Sequence, residues 1–257
     1  MVSAEVLSFD ECLPGINVYV ERLLLPGGAR FDTHVHREHQ VVWAASGSIL
    51  LAVGERTWVL PPTLALWIPA GVEHTTSAPR ATAMRGVYVH PQIPSPWPEP
   101  TVVAVTAVVR ELLELLSDVE LVGPIRERAE FLMLDLMHPV SVAPICLPMP
   151  VDPRALEVAR HLEEHPSEPL GIERWGQKVG ASSRTLSRLF VAETGLTFSQ
   201  WRTHARMRMA LARLAAGDPI TAIAFGAGYS TPSAFIAAFR RATGETPGRY
   251  FRDPAPR

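Results

Sequence analysis

The chain has 257 residues, 47% of them hydrophobic, which is enough for one large domain or two to three smaller ones with cores of their own. Its two cysteines, Cys12 and Cys146, stand far apart in no metal-ligand spacing, which excludes a disulfide framework and favours reduced thiols. No apolar run approaches the roughly 18 residues of a membrane span, and no basic stretch followed by an apolar one opens the chain, so a cytoplasmic protein without membrane contact is expected.

The formal charge of −2 hides a division. From Val151 onward fifteen Lys and Arg face ten Asp and Glu, whereas residues 1–150 carry nine basic and sixteen acidic side chains. From Leu170 onward the ratio is thirteen to five. An acidic front half joined to an Arg-rich back half points to a polyanionic partner for the back half alone.

Residues 15–90 read as short strands. Leu23–Leu25, Val41–Ala45, Ile49–Val53, Trp58–Leu60, Leu64–Ile68 and Met84–Val89 are brief β-rich or apolar runs. Turn material such as Pro26-Gly27-Gly28, Ser46-Gly47, Pro61-Pro62 and Pro69-Ala70-Gly71 separates them, a texture that predicts an antiparallel sandwich or barrel. A proline-rich stretch from Pro91 to Pro100 closes the segment.

Over residues 101–138 the period changes. Val102, Val105, Val108, Val109, Leu112, Leu113, Leu115 and Leu116 fall at helical spacing. After Gly123-Pro124 a second helix is predicted through Met137, with Ile125, Ala129, Leu132, Met133 and Leu136 on its apolar side. Such a hairpin packs either on its own domain or on a second subunit. Pro139, Pro144, Pro148, Pro150 and Pro153 then forbid continuous helix and mark a domain boundary.

Residues 153–252 read as helical and repeat themselves. Phe190-Val191-Ala192-Glu193-Thr194-Gly195 aligns with Phe239-Arg240-Arg241-Ala242-Thr243-Gly244, and Gly180, Gly176 and Ile172 align with Gly228, Ala224 and Ile220. The offset is forty-eight before the turn and forty-nine after it, so the second copy has one extra residue in its turn. Each copy supplies a short first helix (Gly171–Val179; Pro219–Ala227), a glycine to end it, a serine to cap the next (Ser182 or Ser230), and a second helix over about 183–193 or 232–242. These are the parts of a helix-turn-helix, here in tandem, with one long helix over Phe198–Ala216 between the copies. Recognition helices entering successive major grooves on one DNA face stand about 34 Å apart.

This region resembles the AraC/XylS family of transcription regulators. The residues that carry the resemblance are Gly180-Ala-Ser-Ser-Arg-Thr-Leu-Ser-Arg-Leu-Phe190, Ile223-Ala-Phe-Gly-Ala-Gly-Tyr229, Phe239-Arg-Arg241 and Thr243-Gly-Glu-Thr-Pro-Gly-Arg-Tyr250. It implies sequence-specific binding of double-stranded DNA, a homodimer, and contact with RNA polymerase if the protein activates. By position, Arg184, Ser187 and Arg188 of the first recognition helix are expected at base edges, where Arg grips guanine O6 and N7; Ser182, Ser183 and Thr185 lie beside them. The matching face of the second copy is Thr231, Pro232, Ser233 and Ala237, which has no long polar side chain among its last three. The first unit is therefore expected to read most of the sequence, and the second to grip the backbone through Ser230, Thr231, Arg240 and Arg241.

In the front half, Gly28, His34, His36, Gln40 and Gly47 have the spacing G-x5-H-x-H-x3-Q-x6-G, and Pro69, Gly71 and His74 follow as P-x-G-x2-H. Two histidines at i and i+2 on a strand point the same way, and a third from a paired strand completes a set suited to a transition metal such as Zn, Fe, Ni or Mn. The spacings resemble the two signature motifs of the cupin barrel, whose metal ligands map onto His34, His36, Gln40 and His74. Gln40 stands where cupins usually have Glu, a neutral and weaker ligand, and Ala78 lies near the place of the closing Asn.

The expected architecture is multidomain α+β: a cupin-like barrel over 1–90, a helical segment over 91–138 as a possible dimer contact, a linker over 139–152, and an all-α tandem helix-turn-helix domain over 153–257. The expected function is that of a DNA-binding regulator modulated by a metal ion or small molecule in the cupin domain. The alternative is a metal-dependent cupin enzyme with a helical C-terminal domain, for which Glu38 and Glu73 are acid–base candidates by proximity alone. A non-specific architectural DNA protein fits poorly with Arg184, Ser187 and Arg188 on one rigid helix.

Overall fold

The computed structural model describes residues 16–140 and 144–250. Cys12 lies outside them. The chain divides into two compact units near residue 143.

The first unit is built from antiparallel strands: β1 (Val18–Leu25), β2 (Ala29–His34), β3 (His39–Ser46), β4 (Ile49–Val53), β5 (Arg56–Leu60), β6 (Leu64–Ile68), β7 (His74–Ala78), β8 (Thr82–Val89) and β9 (Thr101–Ala104). One sheet has the order β1-β8-β3-β6-β9, and the other carries β5-β4-β7-β2. Val42, Ala44, Leu66 and Met84 of the first sheet meet Phe31, Ile49, Leu51 and Leu60 of the second in one buried cluster. The strands thus make a sandwich whose two sheets stay distinct, an open form of the barrel expected from sequence.

Two helices, α1 (Ala107–Leu116) and α2 (Pro124–Asp135), cover the outer face of the first sheet, where Val109, Leu113, Ala129 and Met133 bury against Val18, Val20, Trp43 and Trp67. The hairpin therefore packs on its own domain. Two sequence expectations change here. Thr101–Ala104 is an edge strand paired with β6, because a four-residue apolar run has no period to separate helix from strand. The buried face of α2 is Arg126, Ala129, Glu130 and Met133, while Ile125 and Leu132 are 60% and 46% exposed. A completed ion pair makes this possible: Arg126 Nε lies 3.0 Å from Glu130 Oε1. The guanidinium also donates to the carbonyls of Val18, Leu116, Asp118 and Leu121, and Glu130 accepts from Asn17.

The second unit holds α3 (Pro153–Glu164), α4 (Ile172–Lys178), α5 (Ser183–Thr194), α6 (Phe198–Ala215), α7 (Ile220–Gly226) and α8 (Pro232–Thr243). Leu162, Trp175, Leu186, Phe190 and Trp201 form the core of its first half, and Ile223, Ala224, Phe235 and Phe239 are fully buried in its second. The extended segment before α3 is docked: Trp201 Nε1 donates to the Pro148 carbonyl at 2.7 Å, and the Glu193 carboxylate accepts from the amides of Val151 and Asp152.

Candidate functional site

The tandem pairs α4–α5 and α7–α8 form as the repeat predicts. Gly176 sits where two backbones cross, and a Cβ built there would stand 2.4 Å from the Ala181 carbonyl oxygen. Gly180 and Gly228 turn the chain with φ of +66° and +76°, a region that favours glycine. The Ser182 hydroxyl caps α5 by accepting from Thr185 N at 3.0 Å. In the second copy the cap is Thr231, accepting from Ala234 N at 3.1 Å, and not Ser230. The extra residue in that turn shifts the capping position by one.

On α5, Arg184, Ser187 and Arg188 are exposed together on the face opposite the buried Leu186 and Phe190, while Ser183 and Thr185 are half-buried. Ser182 and Thr185 are also joined, hydroxyl to hydroxyl, at 2.8 Å. On α8, Ser233, Ala237, Arg240 and Arg241 are exposed and Pro232 is half-buried; Ser230 and Thr231 lie exposed ahead of it. Three arginines of α6 have structural partners of their own. Arg202 donates to the Leu170 carbonyl, Arg206 to that of Pro166, and Arg208 pairs with Glu163. Nothing in the one-letter pattern separates such staples from solvated arginines.

Inside the sandwich, His34 of β2 pairs in register with His74 of β7, and one ring nitrogen from each of His34, His36 and His74 lies within 4.8 Å of the others. Ring centroids stand 4.3 Å apart for His34–His74, 4.9 Å for His34–His36 and 5.3 Å for His36–His74. His36 is beyond the end of β2, so strand alternation does not aim it. Its loop does, held by the Gly71 amide on the His36 carbonyl at 2.9 Å. The Nδ1–H of His34 donates to the Asp32 carbonyl at 2.6 Å and that of His74 to the Val72 carbonyl at 3.0 Å, which leaves each Nε2 with its lone pair inward. The Nε2 atoms of His36 and His74 and Oε1 of Gln40 are buried with no hydrogen-bond partner. Burial first, then the neighbouring imidazoles, holds His36 at about 4, and burial holds His74 at about 4, so both rings are neutral at pH 7.

Three further groups at this end of the interior carry no signal in the one-letter pattern. Tyr88 lies across from Gln40 in the β3–β8 ladder, bonds its side chain, and sets its ring edge-on to His36 at 5.3 Å. Its phenol donates to Glu21 Oε2 at 3.3 Å, and Tyr19 stacks on it at 6.3 Å. Burial raises both Glu21 and Tyr88 above their ordinary values. Glu21 and Tyr19 alternate with the outward Val18 and Val20, so the first strand contributes a polar inner face that no apolar run announces. Glu38 and Glu73 are outside the cluster; among the described residues its close ligand atoms come from the three histidines alone.

A family model described as an AraC-like ligand binding domain matches residues 26–130, and a helix-turn-helix domain model matches residues 175–253. The chain is 30% identical over 220 residues to the HTH-type transcriptional regulator NimR of Escherichia coli (strain K12), spanning 84% of this chain and 81% of that protein. It is 36% identical over 103 residues to the HTH-type transcriptional regulator RipA of Corynebacterium glutamicum, spanning 40% of this chain and 31% of that one. Among solved structures, ToxT from Vibrio cholerae superposes with a TM-score of 0.37 at 10% identity, covering 93% of this chain and all of that one.

Proposed function

Because the chain belongs to the AraC family of DNA-binding transcription regulators, with an N-terminal ligand-binding domain, we propose that its first helix-turn-helix reads most of the operator and that the histidine end of the sandwich holds the effector. The observation that carries the DNA half of this reading is the exposed Arg184, Ser187 and Arg188 on one face of α5. Two guanidiniums one helical turn apart match the O6/N7 pairs of guanines in the major groove. The second unit, with Arg240 and Arg241 near the end of α8, adds backbone contacts.

The effector half rests on converging lone pairs. Nε2 of His36 and His74 and Oε1 of Gln40 are buried without hydrogen-bond partners, and the Nδ1–H bonds of His34 and His74 leave the Nε2 of each as an acceptor. Such a site takes a cation. His34, His36 and His74 fit a divalent transition ion (Zn, Fe, Ni or Mn), with Gln40 as a weaker fourth ligand. In tetrahedral zinc the nitrogens stand about 3.4 Å apart, so rings within 4.8 Å need only small rotations. Held by these residues, an ion would supply a Lewis-acidic centre for an oxygen- or nitrogen-donor ligand. Asp32 and Val72 orient the rings, and Tyr88 and Glu21 stand behind them. An effector bound here regulates to the extent that it favours the DNA-competent or the incompetent state.

Val108 and Leu115 of α1 and Ile125, Phe131 and Leu132 of α2 are each more than 40% exposed. This apolar surface supports a homodimer through the helical hairpin. The working protein is then a cytoplasmic dimer that meets RNA polymerase where it activates; among the described residues no helix is long and apolar enough to cross a membrane.

The test is selection of DNA from a random pool, with and without chelator, alongside an elemental inventory of the purified protein. Near-stoichiometric metal, with operator affinity changed by chelation, supports both halves. A protein that selects no sequence overturns the DNA half, and a metal-free protein indifferent to added metal overturns the effector half.

A further inference from the structure

The two recognition helices are the same length and align in register, yet their charge is exchanged end for end. Each has twelve residues, and a shift of forty-nine lays the buried Leu186 and Phe190 onto Phe235 and Phe239. The same shift lays Arg184 onto Ser233, Ser187 onto Ile236 and Arg188 onto Ala237. Farther along, Val191 and Ala192 fall on Arg240 and Arg241. In α5 the cations are in the first half and the apolar residues near the end; in α8 the order is reversed.

A recognition helix meets base edges with its N-terminal half. There α8 offers the methyl of Ala237, the half-buried Ile236 and a single hydroxyl on Ser233, and these line one surface groove with Arg240 and Arg241. None of the first three can grip a purine edge with two hydrogen bonds. The one apolar group that any base pair shows in the major groove is the C5-methyl of thymine, and alanine-type side chains pack on it. Arg240 and Arg241, near the cationic-friendly C-terminal end, lie one turn or more farther along and suit phosphates flanking that contact.

Resting on the reading of the chain as an operator-binding regulator, we infer that α8 is a base reader in its own right: Ala237 and Ile236 select thymine by its methyl group. The two half-sites are then read by different chemistry, guanine hydrogen bonds through α5 and thymine methyls through α8. The second half-site is specified without any long polar side chain.

The full-length protein and its selected operator provide the test. Arg188→Ala first marks the α5 half-site as the one where base preference relaxes. Each thymine of the other half-site is then replaced by deoxyuridine, which removes the methyl and leaves every hydrogen-bonding group. Binding is expected to weaken about fourfold per contacted thymine, the effect of withdrawing one methyl from an apolar contact, and 5-methylcytosine is expected to recover part of the loss over cytosine. Ala237→Ser keeps the helix, and Ile236→Ala serves as a second variant; both are expected to shrink the thymine-to-uracil ratio toward one. Equal affinity for thymine and uracil at every position of that half-site, with guanine dependence intact in the other, overturns the inference and leaves the first unit's role standing. Failure to select any operator overturns both.

Discussion

The Nδ1–H of His74 is held 3.0 Å from the Val72 carbonyl, two residues back in its own chain, and this fixes Nε2 of the same ring as an acceptor facing His34 and His36. His34 repeats the arrangement on Asp32. With metal binding at this cluster as the proposed role, removing two of its three rings removes the site. His34→Ala combined with His36→Ala is expected to abolish metal uptake, read by elemental mass spectrometry, and to abolish any effect of chelator on operator affinity. Operator binding itself is expected to persist. Unaltered chelator sensitivity in the double variant would remove this cluster from the regulation.

The same burial has a consequence for stability. His36 and His74 fall from 6.5 to about 4 in the folded protein, so above pH 6.5 they are neutral whether the chain is folded or not. Between pH 6.5 and about 4 the unfolded chain takes up protons that the folded one refuses, and stability falls with pH over that window. The loss is on the order of 3 kcal/mol per ring at most. Urea midpoints of metal-free protein are expected to drop between pH 6.5 and 4.5, and His74→Gln is expected to flatten the drop; identical midpoints across the window would contradict the assignment.

Legibility in the sequence followed the strength of local signals. The helix-turn-helix copies were legible because glycine turns, hydroxyl caps and buried aromatics all recur at one offset, down to the extra residue that moves the cap from Ser230 to Thr231. The histidines were legible as a group, although loop geometry rather than strand alternation brings His36 in. β2 and β7 are absent from the apolar runs because ARFDTH and HTTSA contain none, and only the histidine spacing placed paired strands there. On α2, Ala129 and Met133 bury as expected but Ile125 and Leu132 do not, because an apolar pattern cannot announce a buried Arg126–Glu130 pair whose partners include Val18, bonded by the arginine, and Asn17, bonded by the glutamate, each more than a hundred residues away. Glu21 and Tyr88 escaped for the same reason: their significance comes from meeting across a sheet.

Gly176→Ala tests the tightness of the first helix crossing. The added methyl would stand 2.4 Å from the Ala181 carbonyl oxygen, so the turn leading into α5 must move. In the second copy the aligned position is already Ala224, fully buried, with its own carbonyl bonded to Tyr229 N at 3.0 Å. The substitution is expected to cost about 1–3 kcal/mol of stability and to weaken discrimination in the guanine-bearing half-site more than in the other. A variant with wild-type melting and wild-type selection would show that this crossing has slack.

Arg188→Ala separates base reading from electrostatic attraction. The side chain is exposed on α5 one turn beyond Arg184, where a guanidinium that reached guanine would contribute specificity and a phosphate contact would contribute only affinity. A base contact predicts a loss of about 1–3 kcal/mol at the selected operator, little change on unrelated DNA, and relaxed preference at one base position. A phosphate contact predicts uniform weakening across sequences and a salt-dependence slope shallower by about one. Binding isotherms on operator and scrambled DNA at several salt concentrations distinguish the two, and the exposed pairing of Arg184 with Arg188 favours the first.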